Sequence, residues 1–549
     1  MGIIYSGLWS VKETPRLTKR AKFLEERRRQ IDEMLTEEDR KKAGQSINRQ
    51  RNLFTKMPSI LSDTEARVLR IEPKEYSKDF PFENLVFNGG GAKFISYAGA
   101  VKCLEEMNIM RNIKRFGGSS AGSVLAALLA AGVTIEEYRD VLEQALLNIL
   151  DARWGYLSLI PNLMHHFGWH PNVKLYELIG GLFEKKLGNK DITFKEMYDK
   201  TGKEVCIVVT NLNYLREEYC HPKTTPDMPI RLAIRMSCSF PGVMQAVQYT
   251  QNNETCTYVD GAVSCYYPIY CFDGWWLSMD KGNSFIERLH PLDDVPVLMK
   301  NENRFKTDPA TFNKTLGFYL YSECRSDHVK WELDKRMGLN IAELPDTKLA
   351  RKMGNRKRYI DRASREHRRI VRALDEFLKV IKKMVFDKSS ITRDTFEDAF
   401  DDDDVQEQCF RILFGDDCSA REAFNILDED GNGEISYSEL VDFIQGIGVH
   451  IQQRIYGLEK LEVNSISSFM SAMLTAFWAN KNRDANLDVE LDRTVGINTI
   501  YVDTHDYTLE KEDIMFLEKQ GYNATMVFLR YFIAKSEFTT DPKEKKLSI

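Results

Sequence analysis

The stretch FGGSSAGSVLAALLAAG, residues 116–132, decides the fold prediction, because it sets two adjacent serines in a glycine frame ahead of an apolar run of small residues. Only one frame fits the nucleophile-elbow pattern G-x-S-x-G, namely Gly118, Ser120 and Gly122. The elbow needs its glycines because the serine sits on a sharp strand-to-helix turn, where neighbouring side chains would collide. Ser120 is therefore the candidate nucleophile, and Ser119 is not.

The flanks of the motif fit this reading. IKRF before it can form a strand, and SVLAALLAAG has the character of a buried helix whose N-terminal amides would face negative charge on a substrate oxygen. A pattern with three fixed positions also arises by chance in roughly one protein in ten at average glycine and serine usage. The elbow therefore needs support from the rest of the chain.

Length and composition indicate a globular protein with more than one part. The 549 residues exceed what one hydrophobic core holds, so we expect one large domain with additions. The ten cysteines include no C-x-x-C pair and no secretory signal pattern opens the chain, which favours reduced thiols in the cytoplasm. The longest uncharged apolar run, residues 124–133, is too short for a membrane span. We expect a cytoplasmic protein with peripheral membrane contact and no nucleic-acid partner.

Residues 1–80 are predicted to form a basic, helical N-terminal arm. Up to Lys56 the chain has fourteen Lys or Arg residues and eight Asp or Glu residues. A solvated helix packed on the main domain and a membrane-facing arm both fit this composition. The opening MGIIYS matches the myristoylation pattern, which makes Gly2 a candidate acceptor, although one acyl chain anchors a protein only marginally.

From Phe82 onward, strand and helix patterns alternate, in ENLVFNGGG, AGAVKCLEEM, IKRF, EVCIVVTNL and CTYVDGA. This alternation predicts an α/β fold with a mainly parallel sheet covered by helices. Strand patterns vanish after Ser322 and return in GINTIYVDTHDY, ahead of a helix in EKEDIMFLEKQG. We therefore expect one α/β domain at 81–325 and 465–536, interrupted by a helical insertion at 326–464 and followed by a tail at 537–549.

The first predicted strand ends in NGGGAK, which contains Gly89, Gly90 and Gly91. Consecutive glycines let backbone N–H groups converge on an anion, either a phosphate or the oxyanion of acyl transfer. The spacings G-x-x-x-x-G-K-[ST] and G-x-G-x-x-G are both absent, which weakens the phosphate alternative.

Three motifs together resemble the patatin-like phospholipases, whose signature is a G-G-G-x-[KR] loop, a G-x-S-x-G elbow and a later D-G-[GA]. Here they are residues 89–93, residues 118–122 and Asp260-Gly261-Ala262. RLAIRMSCSFPG and KTLGFYL are also similar to the family, and the resemblance covers about residues 82–325 and 465–535. Two positions depart from the pattern, because Phe94 and Ala262 stand where the family usually has glycine.

The resemblance implies a three-layer α/β fold and hydrolysis of membrane glycerolipids. It implies Ser120 as nucleophile, Asp260 as its base without an intervening histidine, and an oxyanion hole formed by Gly89, Gly90 and Gly91. Ser120 would attack the ester carbonyl, and water would release the fatty acid from the acyl-enzyme without a metal at this centre.

Other functions remain open. His290 or His505 could complete a Ser-His-Asp triad, although neither lies in a catalytic pattern. Asp260 could be a turn residue in an Asp-Gly pair. The substrate could be triacylglycerol, and the protein could be a calcium-regulated lipid-binding scaffold on a silent hydrolase fold.

Within the insertion, DEDGNGEISYSE fills every position of a calcium-binding EF-hand loop. The predicted calcium ligands are Asp428, Asp430, Asn432, the carbonyl of Glu434, Ser436 and the bidentate Glu439. Gly433 supplies the sharp turn at the sixth position.

EF-hands occur in pairs, and FDKSSITRDTFEDAF fits a degenerate partner hand with Ile391 at the hydrophobic position. A basic stretch at residues 351–372 precedes it, and an acidic stretch that includes Asp401–Asp404 follows. Mutual neutralisation and a basic surface for anionic lipid are equally compatible with this pattern.

Overall fold

This computed structural model describes residues 71–76, 80–148, 151–152, 158–251, 253–288, 291–309, 311–322, 333, 342–352, 373–374, 376–382, 391–399, 410–415, 418–446, 490–504 and 506–540. Several sequence predictions lie outside these residues: most of the N-terminal arm, most of the basic stretch, Asp401–Asp404, His290 and His505. The described residues divide into two compact units, one formed by residues 71–351 and 490–540 and the other by residues 352–446.

The first unit contains an eight-stranded sheet in the order β12-β9-β1-β2-β4-β8-β7, with β5 also paired to β4. Its strands are β1 (Asn84–Phe87), β2 (Arg115–Ser119), β4 (Glu204–Asn211), β5 (Arg216–Cys220), β7 (Val247–Gln251), β8 (Glu254–Asp260), β9 (Thr315–Tyr321) and β12 (Thr494–Asn498). A separate pair consists of β3 (Gly168–His170) and β6 (Gly242–Met244). From β12 to β4 all neighbours are parallel, while β5, β7 and β8 pair antiparallel. The prediction of an α/β fold with a mainly parallel sheet is confirmed.

The helices of this unit are α1 (Ser96–Glu106), α2 (Ala121–Ala130), α3 (Ile135–Asn148), α4 (Leu159–His166), α5 (Val173–Leu187), α6 (Phe194–Thr201), α7 (Ile230–Ser237), α8 (Val295–Leu298), α9 (Asn301–Arg304) and α13 (Lys511–Thr540). Among the described helices, none combines the length and apolar character needed to cross a membrane.

The two faces of the sheet are covered differently. On the helical face, Phe87 stacks on Phe318 of β9 and meets Tyr97 of α1 edge-on, with ring centroids 5.1 Å apart in both pairs. On the other face, Val86 packs in a cluster with residues of the segment 265–305, whose described helices are all short. Strand residues are buried on both sides, as expected for parallel strands. The second covering layer is therefore largely irregular rather than helical.

The predicted return of the chain to the sheet is seen in β12 and α13. Before that return, Thr347 donates a 2.6 Å hydrogen bond to Asp513 of α13, and the N–H of Ala342 donates to Gln520. Residues 342–351 thus belong to the sheet-containing unit.

The second unit is helical, with α10 (Arg393–Ala399), α11 (Ala420–Leu427) and α12 (Tyr437–Gly446) around a core rich in phenylalanine. A short antiparallel pair joins β10 (Ile391–Thr392) to β11 (Glu434–Ile435) and sets Ile391 opposite Ile435. This pairing is what a degenerate hand with Ile391 at its hydrophobic position would form with the calcium loop.

Backbone contact between α1 and α13 generates a stability prediction. A Cβ at Gly99 would overlap the carbonyl oxygen of Glu518, and one at Gly521 would overlap that of Ser96. We expect Gly99→Ala and Gly521→Ala each to destabilise the unit by about 1–3 kcal/mol, because overpacking forces the helices apart. Thermal unfolding of the full chain measures the effect.

Gly181 in α5 is the matched control, since a Cβ there meets nothing within 4 Å. Gly181→Ala should raise stability by up to about 1 kcal/mol through helix propensity. Equal effects at all three positions would contradict close packing of α1 on α13.

Candidate active site

Ser120 occupies the junction between a strand and a helix. β2 ends at Ser119 and α2 begins at Ala121, so a single residue makes the turn. Its backbone has φ 51° and ψ −127°, a conformation that non-glycine residues rarely adopt. The chain thus turns sharply at the residue that the sequence analysis identified as the candidate nucleophile.

Hydrogen bonds on both sides of Ser120 hold the strained turn. Its N–H donates to the hydroxyl of Ser237 over 2.9 Å, and that hydroxyl donates to the carbonyl of Val208 over 2.6 Å. Its carbonyl accepts from the N–H and the hydroxyl of Ser123 at 2.9 and 2.6 Å. Ser237 therefore ties the elbow to β4, the neighbouring strand.

The two outer glycines of the elbow leave no room for a side chain. A Cβ at Gly118 would overlap the carbonyl of Gly122, and one at Gly122 would lie 2.5 Å from the carbonyl oxygen of Phe87. The helix thus begins in direct backbone contact with β1 and with its own strand. This is the steric reason for the glycine frame that identified Ser120.

Asp260 lies at the end of β8, opposite Val209 of β4, and its side chain is 2% exposed. The hydroxyl of Ser120 donates directly to its Oδ2 over 2.7 Å. Its Oδ1 accepts the N–H of Ala262 at 2.8 Å, and its own N–H donates to the carbonyl of Ser239 at 2.9 Å. Both carboxylate oxygens are engaged, so the Asp-Gly turn also fixes the orientation of the carboxylate.

Burial raises the pKa of Asp260 to about 7, because the carboxylate is held out of water. Hydrogen bonds from the Ser120 hydroxyl and from the Ala262 N–H oppose this rise by stabilising the ionised form. A carboxylate with a pKa near neutrality is a stronger base than an exposed aspartate and is still ionised above pH 7.

The hydroxyl of Ser119 makes no hydrogen bond to either member of this pair. Its hydroxyl is buried beside Gly261, where an added Cβ would lie 2.8 Å from Ser119 Oγ. Within the part of the chain that the structure describes, that hydroxyl has no hydrogen-bond partner. The structure thus separates the two adjacent serines.

The glycine loop lies beside Ser120, since a Cβ at Gly89 would be 3.3 Å from the Cβ of Ser120. The N–H of Gly89 donates to the carbonyl of Tyr266 over 3.0 Å. For the N–H groups of Gly90 and Gly91, no acceptor is found among the described residues. Of the three predicted oxyanion donors, the N–H groups of Gly90 and Gly91 are therefore available to a ligand. Gly89 has no side chain and so leaves space beside Ser120.

The two departures from the family pattern fit this geometry. Ala262 uses its N–H to orient Asp260, and its methyl group packs with Phe240 and Tyr266. Phe94 is buried in the short 3-10 helix Gly91–Ile95 that follows the loop. Neither side chain replaces an N–H group of Gly90 or Gly91.

Sequence reasoning missed several supporting residues. Ser237 lies in RMSCSFPG, a stretch that was noted for its similarity to the family but given no role. The carbonyl of Thr504 accepts the N–H of Ala92 at 2.9 Å and so fixes the far end of the glycine loop. Tyr507, three residues on, is half-buried, and loss of hydration together with the charge of Asp260 raises its pKa.

The EF-hand loop brings three of its predicted ligands together. One carboxylate oxygen from each of Asp428, Asp430 and Glu439 lies within 4.8 Å of the others. Burial opposes ionisation of Glu439, but the N–H and hydroxyl of Ser436 and the N–H groups of Asp430 and Glu429 hold its pKa below the ordinary value. Three converging carboxylates repel one another unless a cation lies between them, so this donor set fits a hard dication such as calcium.

Two further predicted ligands, Asn432 and Ser436, make hydrogen bonds within the loop. Asn432 donates from its side chain to Asp430 at 2.9 Å and accepts the N–H of Glu434 at 2.8 Å. Ser436 donates its hydroxyl to Glu439 at 2.8 Å. Gly433 has φ 85°, the left-handed conformation that the sixth position requires.

A cavity of about 860 Å³ opens at the opposite edge of the sheet. Asn84 and Arg115, at the amino ends of β1 and β2, line it together with Asp273 and Trp275. It is therefore separate from Ser120, which follows the carboxyl end of β2.

A serine on a strand-to-helix elbow that donates a hydrogen bond to a buried carboxylate is an arrangement typical of serine hydrolases. Comparison with protein families makes this more specific. The patatin-like phospholipase model matches residues 85–270, and an EF-hand domain model matches residues 419–448. The chain contains a patatin-like phospholipase domain and an EF-hand domain.

Several curated proteins match part of the chain. Uncharacterized protein R571 of Acanthamoeba polyphaga mimivirus is 33% identical over 204 residues, which are 37% of this chain and 64% of the relative. Probable lipid hydrolase 463L of Invertebrate iridescent virus 6 is 26% identical over 200 residues, 36% of this chain and 64% of the relative. Triacylglycerol lipase SDP1L of Arabidopsis thaliana is 27% identical over 192 residues, 34% of this chain and 22% of the relative. The chain spans less than two thirds of each of these relatives.

The raised pKa of Asp260 generates a pH prediction. A base must be ionised to accept the serine proton, so the reactivity of Ser120 should rise with pH through about 7 and level off above it. We expect the rate of fluorophosphonate labelling of Ser120 to increase about tenfold per pH unit below that value.

Ser119→Ala should keep the same profile, because its hydroxyl does not contact Asp260. Asp260→Asn should remove the pH dependence together with most of the labelling. A labelling rate that is flat between pH 5 and 8 would contradict the assignment of Asp260 as the base.

Proposed function

We propose that this protein is a lipid acyl hydrolase of the phospholipase A type that cleaves glycerolipid esters through Ser120 and Asp260. The observation that carries the proposal is the direct 2.7 Å hydrogen bond from the Ser120 hydroxyl to a buried carboxylate. Such a bond places a base within reach of the proton that must leave the nucleophile. The patatin-like phospholipase domain at residues 85–270 supports a lipid substrate.

In the first half-reaction, Ser120 Oγ attacks the ester carbonyl carbon while its proton passes to Asp260 Oδ2. The negative charge on the carbonyl oxygen is held by the N–H groups of Gly90 and Gly91, at the positive end of a short helix. The bond to the alcohol then breaks, and Asp260 returns the proton to the leaving lysolipid.

In the second half-reaction, water takes the place of the alcohol. Asp260 accepts a proton from the water as it attacks the acyl-enzyme carbonyl, and the fatty acid leaves when Ser120 recovers that proton. No metal enters either step.

Triacylglycerol is the second candidate substrate, and the relative named triacylglycerol lipase SDP1L favours it. Triacylglycerol is uncharged and has no headgroup, but its ester bonds need the same serine and carboxylate for hydrolysis. The two substrates therefore differ only in the groups next to the ester that the cleft has to accept. Hydrolysis of purified phosphatidylcholine and triolein under one condition separates them.

We further propose that the protein acts in the cytoplasm on membrane surfaces, with acylation at Gly2 as an optional anchor. The eight described cysteines are free thiols, which suits a reducing compartment. Calcium would bind Asp428, Asp430, Asn432, Glu434, Ser436 and Glu439 and regulate hydrolysis from outside the catalytic centre. An EF-hand changes the angle between its helices on binding, which gives the insertion a way to respond.

The catalytic proposal predicts the effect of three substitutions. Ser120→Ala should abolish hydrolysis because the nucleophile is lost, and Asp260→Asn should reduce kcat by about 10²–10⁴-fold because the base is lost. Ser119→Ala should retain most of the activity. Release of fatty acid from phospholipid vesicles, with thermal unfolding as a check of the fold, measures each variant.

Near wild-type turnover by Asp260→Asn together with an essential His290 or His505 would replace the proposed pair by a triad. A protein that neither reacts with fluorophosphonate nor releases fatty acid would instead be a lipid-binding scaffold.

The calcium proposal predicts that Glu439→Gln weakens calcium binding strongly, because the bidentate ligand loses its charge. Titration calorimetry measures the loss, and vesicle hydrolysis with calcium or with chelator measures regulation. Fluorophosphonate labelling of Ser120 should be the same in Glu439→Gln and wild type. Absence of calcium binding in the wild type, or equal hydrolysis with and without calcium, would reject regulation.

A further inference from the structure

The glycine loop is held at both ends by hydrogen bonds that leave its middle free. At its start, the N–H of Gly89 donates to the carbonyl of Tyr266 at 3.0 Å. At its far end, the N–H of Ala92 donates to the carbonyl of Thr504 at 2.9 Å. The two N–H groups between these ends have no acceptor among the described residues. The two bound amides therefore restrict the direction of the two that are available to an oxyanion.

Thr504 also packs against the middle of the loop, at Gly91. Gly91 has φ 51°, and a Cβ built there would overlap the carbonyl oxygen of Thr504 and lie 2.7 Å from its methyl carbon. The Thr504 carbonyl thus contacts the residue whose N–H is one of the two free donors. A shift of Thr504 would change both the hydrogen bond to Ala92 and the space that Gly91 occupies.

Two carboxylates hold Thr504 in place. Oδ1 of Asp503 accepts the N–H of Thr504 at 2.8 Å, and Oδ2 of Asp506 accepts the N–H of Asp503 at 2.8 Å. The N–H of Asp506 in turn donates to the carbonyl of Asp503 at 3.2 Å. We name Asp503, Thr504 and Asp506 the Thr504 clamp. Both carboxylates bind backbone N–H groups, so the clamp fixes the backbone from which the Thr504 carbonyl projects.

The clamp follows a buried stretch of backbone after β12. The N–H of Thr499 donates to the carbonyl of Tyr321, the last residue of β9, at 2.8 Å. The hydroxyl of Tyr501 donates to Asp513 of α13 at 2.7 Å, and residues 500–502 are at most 1% exposed. β9 pairs with β1, the strand that leads into the glycine loop. Clamp and loop are therefore attached to neighbouring strands of one sheet.

The segment that carries the clamp continues toward the catalytic carboxylate. Tyr507 follows the clamp, and the charge of Asp260 contributes to the rise in its pKa. One short segment thus runs from the glycine loop to the neighbourhood of the base. It lies outside residues 85–270, which the patatin-like phospholipase model matches.

We propose that Asp503 and Asp506 are positioning residues of the oxyanion hole. Through the Thr504 carbonyl, they direct the free N–H groups of Gly90 and Gly91 at the substrate oxygen. The proposal rests on the proposed function for the charge that these groups stabilise. Donors to an oxyanion are effective when they are oriented before the charge develops. Misplacement of such a group by about 1 Å costs about 10²-fold in rate.

Steady-state kinetics of the full chain on a soluble ester test this role. Asp506→Ala removes the acceptor of the Asp503 N–H, so kcat should fall about 10–100-fold while KM changes less than about twofold. Asp503→Ala should show the same pattern, because it removes the acceptor of the Thr504 N–H. Asp506→Asn should keep most of kcat, since its amide oxygen can still accept the Asp503 N–H.

Asp280→Ala is the matched control and should leave kcat at the wild-type value. Asp280 accepts a 3.1 Å hydrogen bond from Ser278 in a turn, and it lines the cavity at the amino edge of the sheet. Its substitution removes a turn carboxylate from the same unit without touching the glycine loop. Thermal unfolding of every variant measures general loss of stability.

A long-chain alkyl trifluoromethyl ketone reports on the oxyanion hole directly. Ser120 Oγ adds to its carbonyl carbon, the serine proton passes to Asp260 Oδ2, and the carbonyl oxygen becomes an oxyanion. Asp506→Ala should lose about as large a factor in affinity for this ketone as it loses in kcat. Its affinity for the corresponding trifluoromethyl alcohol, which forms no oxyanion, should stay within about twofold. The pH profile of fluorophosphonate labelling should keep its midpoint at about 7, because Asp260 is unchanged.

Wild-type kcat in Asp506→Ala, or an equal loss in Asp506→Asn, would overturn the positioning role. Equal losses of affinity for the ketone and the alcohol would overturn it as well, and so would a shifted pH midpoint, which would point to the base instead. Hydrogen exchange of the peptide that contains the Ala92 amide tests the clamp without catalysis. Exchange should be faster in Asp506→Ala than in wild type or Asp280→Ala, and equal exchange in all three would contradict the clamp. A wild type that hydrolyses no ester but shows this difference would reject the proposed function and leave the clamp intact.

Discussion

The hydrogen bond between Ser120 and Asp260 depends on the register of three neighbouring strands. Ser119 of β2 pairs with Val208 of β4, and Asp260 of β8 pairs with Val209, the next residue of β4. A slip of one residue would shift a strand by about 3.3 Å and turn its side chains to the other face, which a 2.7 Å bond cannot survive. β4 is buried along its whole length, and its pairing with β2 and β8 therefore aligns the nucleophile with the base.

Close backbone packing around this alignment explains where glycine is required. Added Cβ atoms at Gly118, Gly122 and Gly261 would all meet backbone carbonyl atoms, since strand, elbow and Asp-Gly turn are in direct contact. The same packing excludes water from Asp260 and raises its pKa. The need for glycine at these positions and the raised pKa of Asp260 thus have the same cause, which is the close packing that buries the carboxylate beneath the elbow.

Features that depend on residues close together in the sequence could be predicted from it. The glycine frame around Ser120, the Asp-Gly pair after a strand and the spacing of the EF-hand ligands each reflect a constraint within a dozen residues. Features set by distant contacts were not predictable: the carbonyl of Tyr266 that occupies the Gly89 N–H, and the Ser237 hydroxyl, 117 residues from the amide it fixes. The irregular layer formed by residues 265–305 over the sheet was not predicted either, because its sequence has no periodic pattern of apolar residues.

Catalysis and stability make opposite demands on Asp260. Its pKa in the folded chain, about 7, lies above the ordinary value of 3.8, so the folded state binds more protons than the unfolded state between these values. Folding stability therefore falls as pH rises through this window, by on the order of 4 kcal/mol in total. Proton transfer from Ser120 requires ionised Asp260. Asp260 is fully ionised only at pH values above its folded-state pKa, where the whole of this folding stability has been lost. Ionised Asp260 therefore destabilises the folded state. The hydrogen bonds that Asp260 accepts from Ser120 and Ala262 limit this loss of stability.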